Sequence, residues 1–280
     1  MDFKNPNLPK IGDVVKGYTI RNTIGKTNYS FIFCASSENN SLVALKFIQP
    51  YQDDKSYVEN EINILKQCQC KQINTLIETF EYNNFTCLVM PYANGGNLKN
   101  FIQNLNNPLT EDQIRQIAYD AFTAVQYLHS HNIWHRDIKI DNFLVDTNNN
   151  SSSPSILLSD FGLSKQVNPG DIVSDHPGTF ECAAPEVITC NSYDSSIDMW
   201  GLGVFLYHLI GGNNPFPAFP QSATRRCILK GAYFFPDHLF KRVSKEARIL
   251  IDHLIQVDPK KRYTADEALQ SSWFDPIKNR

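Results

Sequence analysis

Alternating apolar and polar positions dominate the first third of the chain. Three such runs lie within residues 18–49 and read YTIRNTIG, FIFCAS and SLVALKFI, with a hairpin-like turn at 38–40. Two more apolar runs lie near residues 75–82 and 86–90. The pattern predicts a small lobe made mostly of β-sheet.

A helical period interrupts these strands once and then dominates the rest of the chain. A capping box at 56–59 is predicted to open a helix whose apolar stripe includes Val58, Ile62 and Leu65. A second capping box, at Thr110 and Gln113, follows breakers at 91–96. Its apolar face comprises Ile114, Ile117, Ala118, Ala121, Phe122, Val125 and Leu128. Residues 196–210 are apolar almost all round, which predicts a helix at the centre of a mainly helical second lobe.

These patterns predict the α+β class, with a small β-rich N-lobe carrying one main helix and a larger, mainly helical C-lobe. The predicted units are an N-terminal extension 1–17, N-lobe 18–90, hinge 91–96, C-lobe 97–274 and C-terminal tail 275–280. The low-complexity run at 147–154 is predicted to be an extended, mobile hairpin loop.

Composition narrows the possible functions. A chain of 280 residues with 42% hydrophobic residues can bury a substantial core, and a net charge of -3 argues against nucleic-acid binding. The longest apolar run, 199–210, is too short to span a bilayer, and the N-terminus has no apolar signal core. We therefore expect a soluble, cytoplasmic protein without a membrane span, for which nuclear access stays open.

The cysteines do not form a disulfide framework. Seven of them are irregularly spaced, which favours reduced thiols. Cys68 and Cys70 form a C-x-C pair, for which packing is the expected role and zinc binding the alternative, although no second ligand pair stands at zinc spacing.

Two motifs carry the candidate chemistry. HRDIKIDN begins at His135 and LLSDFG ends at Gly162, so that Asp137, Asn142 and Asp160 surround one site. A carboxylate that accepts a hydroxyl proton, together with oxygen ligands for Mg2+, suits phosphoryl transfer. Helix caps or turns would explain one such residue but not three at this spacing.

Several motifs in order give the chain its resemblance to a known family. HRDIKIDN, LLSDFG, AAPE and DMWGLGV occur within residues 18–274, which resemble a eukaryotic-type serine/threonine protein kinase domain. GGNNPFP, ILKGAYFFP, VSKEARILI and SSWF resemble the calcium/calmodulin-dependent and sucrose-nonfermenting kinase group. The resemblance implies a bilobal protein-kinase fold that binds ATP and Mg2+ in its cleft. No autoinhibitory or calmodulin-binding helix follows within this sequence, so we expect no calcium control from it.

The resemblance assigns roles to individual residues. It implies that Asp137 is the catalytic base, Lys139 a charge partner of the transferring phosphate, and Asn142 and Asp160 the metal ligands. Lys139 in HRD-x-K favours serine/threonine over tyrosine specificity. The implied ATP-binding residues are Ile24, Gly25, Ile32, Ala44, Lys46, Glu61, Met90, Pro91, Ala93, Asn97 and Asp160.

Lys46 and Glu61 are expected to form an ion pair. Lys46 lies in an apolar strand, where an unpaired ammonium is costly, and Glu61 lies on the helix stripe facing the sheet. In the alternative interpretation, Lys46 reaches solvent at the edge of the strand and Glu61 lies on a solvated face of its helix. The resemblance implies a second pair, Glu186 with Arg262, in a structural role, and it implies that Asp198 anchors the catalytic loop.

The phosphate-covering loop departs from the family pattern. Residues 24–32 keep only Gly25 of three glycines, and Thr27 replaces the second one. We expect Thr27 to stiffen or displace the loop, with weaker ATP affinity and retained turnover. Asn97 stands where an acidic residue often attracts basic substrates, and Asp141 is expected to retain part of that attraction.

The segment 160–186 resembles an activation segment, with Gly178 and Thr179 as the floor of the acceptor pocket. Asp175 stands near the usual activating phosphosite, and Arg136 with Lys165 is expected to form the basic pocket that faces it. Constitutive activity is one hypothesis for Asp175, and simple loop polarity is the other. Ser174 remains a possible site for an upstream kinase.

The predicted function is ATP-dependent transfer of the γ-phosphoryl group to serine or threonine hydroxyls of protein substrates. The alternative from another class is a nucleotide-binding pseudokinase that acts as a scaffold, for which the eroded glycine loop is the support. A small-molecule kinase would not account for the AAPE segment. The sequence does not determine the physiological substrate or the oligomeric state.

Overall fold

The small lobe is built on one antiparallel sheet. The computed structural model describes residues 7–27, 30–49, 55–148, 154–168, 170–216 and 219–278. The six strands of the sheet are β1 (Val14–Val15), β2 (Tyr18–Lys26), β3 (Ser30–Ser36), β4 (Leu42–Ile48), β5 (Glu78–Tyr82) and β6 (Phe85–Pro91). They pair in the order β1-β2-β3-β4-β6-β5, and helix α1 (Ser56–Gln67) lies between β4 and β5 in the chain.

The large lobe is mainly helical. Its helices are α2 (Leu98–Gln103), α3 (Glu111–Ser130), α4 (Pro185–Ile188), α5 (Ser196–Gly211), α6 (Gln221–Lys230), α7 (Asp237–Phe240), α8 (Lys245–Leu254), α9 (Ala265–Leu269) and α10 (Asp275–Lys278). Two small antiparallel sheets pair β7 (Ile133–Trp134) with β10 (Lys165–Gln166) and β8 (Phe143–Asp146) with β9 (Ser155–Leu158). The predicted α+β bilobal kinase fold is confirmed.

Hydrophobic burial forms two clusters. The outer one packs Phe33, Leu45 and Phe47 of the sheet together with Leu8 from the N-terminal segment. The main core joins α1 to the large lobe and surrounds α5, which is buried along nearly its whole length. A Cβ at Gly201 of α5 would lie 2.8 Å from the Ile138 side chain, so glycine is needed where this helix meets the loop that follows β7.

Most predicted elements agree with the structure. The strands within residues 18–49 and the turn after Ser37 are present, and α3 begins at the predicted capping box of Thr110 and Gln113. Every residue of the predicted apolar face of α3 is buried. All seven cysteines are free thiols. Among the described residues, no helix is long and apolar enough to cross a bilayer.

Other predictions were wrong or stay untested. The capping box at 56–59 is wrong: Lys55 is the N-cap, since its carbonyl already accepts from the amide of Glu59 at 2.9 Å and Ser56 is helical. Strand β5 begins at Glu78, although the Ile77 amide already donates to the Val89 carbonyl of β6 at 2.8 Å. The predicted loop at 147–154 lies largely outside the described residues, and the unit boundaries remain predictions.

Candidate active site

A cavity of about 300 Å³ separates the two lobes. Its lining contains every residue predicted to bind the nucleotide, namely Ile24, Gly25, Ile32, Ala44, Lys46, Glu61, Met90, Pro91, Ala93, Asn97 and Asp160. It also contains Asn142, whereas Asp137 and Lys139 lie just beyond it on the same loop. Leu144, Tyr92 and Phe161 are among the further lining residues and were missed. Leu144 could have been found, since alternate side chains of β8 must face either the core or the cleft.

Lys46 joins the two lobes at the back of the cavity. Its ammonium lies 2.8 Å from Glu61 Oε1 and 3.0 Å from Asp160 Oδ1, and its side chain is 9% exposed. Burial alone would lower the pKa of Lys46, but the charges of Glu61 and Asp160 outweigh it and hold the pKa above its ordinary value. The predicted Lys46–Glu61 pair is confirmed, and the alternative of a solvated glutamate is excluded, since Glu61 is 3% exposed.

Asp160 keeps a negative charge that faces the cleft. The nearby ammonium of Lys46 holds the pKa of this carboxyl below its usual value, against the opposing effect of burial. Its backbone is left-handed, with φ 65°, a conformation that non-glycine residues adopt mostly where the surroundings impose it. Lys46 engages only Oδ1, so the other carboxylate oxygen faces the same cavity as Asn142.

Several donors converge on Asp137. Asn142 Nδ2 donates to Oδ2 at 3.0 Å and Lys139 Nζ to the same oxygen at 2.6 Å, while the amide and hydroxyl of Thr179 donate to Oδ1 at 3.0 and 2.9 Å. Gly178 permits this contact, because a Cβ there would lie 2.6 Å from the Arg136 carbonyl oxygen. These hydrogen bonds orient the carboxylate beside a hydroxyl side chain.

Asp198 of α5 fixes the backbone of the loop that carries Asp137. Its Oδ2 accepts from the amide of His135 at 2.8 Å and from His129 Nε2 at 3.0 Å, and its Oδ1 accepts from the amide of Arg136 at 2.7 Å. Burial would raise the pKa of Asp198, but these hydrogen bonds and the charge of His129 hold it below its usual value. Arg136 has φ 67°, so the anchor holds a strained turn.

The segment after Asp160 is tied to the same loop. Asp175 accepts from Arg136 Nη1 at 2.7 and 2.8 Å and from the Tyr193 hydroxyl at 2.7 Å. Among the ion pairs of the described residues, Asp175 is paired with Arg136 and not with the predicted second cation, Lys165. Ser174 is exposed beside this cluster.

The segment ends in a buried ion pair. Arg262 donates from Nη1 to Glu186 Oε1 at 2.8 Å and from Nη2 to Oε2 at 3.2 Å. Further guanidinium donors reach the carbonyls of Gln256 and Ser196, and the group lies over the Trp200 ring at 5.3 Å. The predicted structural pair is confirmed.

The mouth of the cleft is shaped by Thr27 and by the start of α2. The Thr27 amide donates to the Ser30 carbonyl at 2.9 Å, and the two hydroxyls share a hydrogen bond of 2.8 Å. Asn97 is the N-cap of α2, where its side chain accepts from the Asn100 amide at 2.8 Å. Asp141, which was expected to retain part of the attraction for basic substrates, is paired with Lys99 at 3.2 Å, and that attraction stays a prediction.

These features place the chain in a known class. It belongs to the protein kinase domain family, whose model matches residues 18–274. Members of this family phosphorylate proteins and generally use ATP with Mg2+. The architecture and the recognised motifs therefore agree with the match.

The most informative relatives are three proteins of Dictyostelium discoideum, each described as a probable myosin light chain kinase. They are 35%, 34% and 31% identical to this chain over 94%, 94% and 97% of its length. The matched parts cover 76%, 84% and 70% of those proteins. The predicted resemblance to the calcium/calmodulin-dependent kinase group is confirmed by this similarity.

Proposed function

We propose that the chain transfers the γ-phosphoryl group of ATP to serine or threonine hydroxyls of protein substrates. The observation that carries this proposal is the geometry around Asp137, whose carboxylate contacts a threonine hydroxyl at 2.9 Å. That hydroxyl marks where an acceptor could present its proton, and the Lys139 ammonium lies 2.6 Å from both groups. Asp137 would accept the acceptor's proton while Lys139 offsets the charge that develops on the phosphoryl oxygens.

The nucleotide would lie in the cavity between the lobes. Ala44 and Leu144 come from opposite lobes and give it apolar walls, and Pro91 and Ala93 border it along the hinge. Lys46, fixed by Glu61, would bind the phosphates nearer the nucleoside. The loss of an N-H at Pro91 leaves the Ala93 amide as the donor for the base.

The donor set around Asp160 and Asn142 suits Mg2+. The side-chain nitrogen of Asn142 donates to the backbone carbonyl and to the carboxylate of Asp137. Its side-chain oxygen is therefore the atom that could bind a metal ion. Carboxylate and amide oxygens are ligands that Mg2+ prefers, and bound Mg2+ neutralises phosphate charge. Asn142 and Asp160 would hold the ion, while Asp137 keeps its proton-accepting role.

The second candidate is a scaffold that binds nucleotide without turnover. Its support is the pair of hydrogen bonds that joins Thr27 to Ser30, where the family usually has a glycine-rich loop. Catalysis is favoured because the buried Lys46–Glu61 pair and the donors on Asp137 stand in one connected arrangement, which a scaffold would not need.

The test is phosphorylation of a serine/threonine/tyrosine peptide array with Mg-ATP, run beside the Asp137→Asn variant. We expect labelling of serine and threonine peptides that falls at least about a hundredfold in the variant. Because the three relatives are described as probable myosin light chain kinases, myosin light chain peptides are suitable members of the array. Equal labelling by both proteins, or nucleotide binding without any labelling, would refute the catalytic proposal and leave the scaffold.

Further proposals concern the setting of this activity. We propose that the protein acts in the cytoplasm and that an upstream kinase could use the exposed Ser174. Fractionation of cells carrying a tagged chain and mass spectrometry of Ser174 would test these two proposals separately.

A further inference from the structure

The mouth of the cleft contains a small charged cluster that the proposed chemistry does not use. We define the flank as Asn97, Lys99, Asp141 and His208. Asp141 lies directly before Asn142 in the 3-10 turn at Ile140–Asn142, and Asn97 begins α2 opposite that turn. Both residues line the cavity that opens beside Asp137. A peptide that presents its hydroxyl to Asp137 must therefore pass close to the flank.

The one carboxylate of the flank is paired with a lysine, and the other members of the flank carry no negative charge. Lys99 donates to Asp141 Oδ1 at 3.2 Å, with the two side chains 38% and 41% exposed. The oxygen of Asn97 is occupied by the amide of Asn100. His208, in the last turn of α5, is partly buried, and burial together with the Lys99 charge lowers its pKa against the opposing effect of Asp141, which disfavours its charged form.

The other charged residues that line the cavity do not add an unpaired negative charge. Among the described residues that line the cavity, Glu61 and Asp160 are both paired with Lys46. The other charged side chain there, Lys26, is exposed and positive. A guanidinium or ammonium on a substrate would thus meet a compensated carboxylate and at least one like charge.

We propose that Lys99 masks Asp141, so that this chain accepts serine or threonine sites whose neighbouring residues are neutral and gains nothing from arginine or lysine beside the acceptor. This inference rests on the proposed function and specifies its substrate class. Replacing Lys99 by an uncharged residue would leave the Asp141 carboxylate able to pair with a basic substrate residue.

Glu181 is a second acidic residue that could produce a preference for basic substrate residues. It lies in the 3-10 turn at Phe180–Cys182, on the segment that follows Thr179, and it is not part of the flank. A preference for basic residues that depends on Glu181 would arise from that segment and not from Asp141. The variant Glu181→Gln therefore serves as the matched control.

The experiment compares two peptide series that differ only in arginine or glutamine at each position around a fixed serine. The readout is the arginine-to-glutamine ratio of kcat/KM for the wild type, Lys99→Ala, Lys99→Arg and the double variant Lys99→Ala/Asp141→Asn. We expect a wild-type ratio within about twofold of one at every position, and an increase of about threefold or more at one position in Lys99→Ala. Lys99→Arg should keep the wild-type ratio, and the double variant should lose the gain.

The same ratio is also measured as peptide affinity, by fluorescence anisotropy with a non-hydrolysable ATP analogue. Absence of turnover with an intact affinity ratio would refute the proposed function alone. A wild-type ratio of about tenfold that survives Glu181→Gln, or an unchanged ratio in Lys99→Ala by both readouts, would overturn the masking by Lys99. The gain in Lys99→Ala should shrink in about 0.5 M salt, because exposed charges are screened.

Discussion

Asp175 is predicted to hold the activation segment in its working position without phosphorylation. Its carboxylate joins two partners from different parts of the large lobe, the guanidinium of Arg136 at 2.7 Å and the hydroxyl of Tyr193 at 2.7 Å. Arg136 also donates through Nε to the Leu163 carbonyl at 2.7 Å, so one side chain connects the start of the segment to its middle. Replacing Asp175 by alanine removes the carboxylate and leaves the guanidinium without its anion.

The size of the effect follows from exposure. The Arg136 side chain is 9% exposed and that of Asp175 is 55% exposed, so the ion pair is worth about 1 kcal/mol and not the larger value of a buried one. The Tyr193 hydrogen bond, weakened by the exposure of the carboxylate, adds about 0.5–1 kcal/mol and brings the total to about 1.5–2 kcal/mol. If this free energy orders the segment, Asp175→Ala lowers kcat/KM for a peptide by about 10- to 30-fold.

The assay uses bacterially produced protein treated with phosphatase and checked by intact mass. Asp175→Glu should keep most of the activity and Ser174→Ala all of it.

Burial would raise the pKa of Asp175, but hydrogen bonds from Tyr193 and Arg136 hold it below its usual value. Its contribution is therefore complete above its ordinary pKa and lost as the pH falls through the lowered one, so the ratio of wild type to Asp175→Ala stays constant near neutrality. Wild type that is inert until Ser174 is phosphorylated, or full activity of Asp175→Ala, would refute the reasoning.

Three further predictions concern stability and nucleotide binding. Arg262→Met leaves Glu186 buried without a partner and should lower the free energy of unfolding in urea by about 3–5 kcal/mol; a loss below about 1 kcal/mol would contradict it. Thr27→Gly opens the turn with Ser30 and should lower the KM for ATP a few-fold at constant kcat, whereas an unchanged KM would rule the idea out. Burial raises the pKa of Asp120 to about 6 against opposing hydrogen bonds, so the folded state binds this proton more tightly and stability falls as the pH rises from about 4 to 6. Asp120→Asn should accordingly raise the urea midpoint at pH 7.5 and leave it unchanged near pH 4; equal shifts at both pH values would contradict this.

Local patterns in the sequence predicted the features that depend on neighbouring residues. The capping box of α3 and its buried face follow from spacing alone, as does the buried α5. The Lys46–Glu61 pair was predictable because an ammonium inside an apolar strand needs an anion on the facing helix. The motifs around Asp137 identified the candidate site in the same way.

Contacts between distant segments were the features that could not be predicted. Tyr193 lies 18 residues after Asp175, and nothing in its local pattern marks it as the partner that replaces Lys165. The pairing of Asp141 with Lys99 spans 42 residues and depends on how α2 packs against the loop after β7. Side-chain pairing of this kind is determined by tertiary packing, so only the structure reveals it.

The ion pair between Lys46 and Asp160 has a consequence for inhibition. Lys46 and Glu61 belong to the small lobe, while Asp198 holds the loop that carries Asp137 entirely from the large one. A compound that separates the lobes by a few ångströms would break the 3.0 Å contact between Lys46 and Asp160. The hydrogen bonds around Asp137 would stay in place, so under the proposed function such a compound would inhibit phosphoryl transfer without unfolding the large lobe.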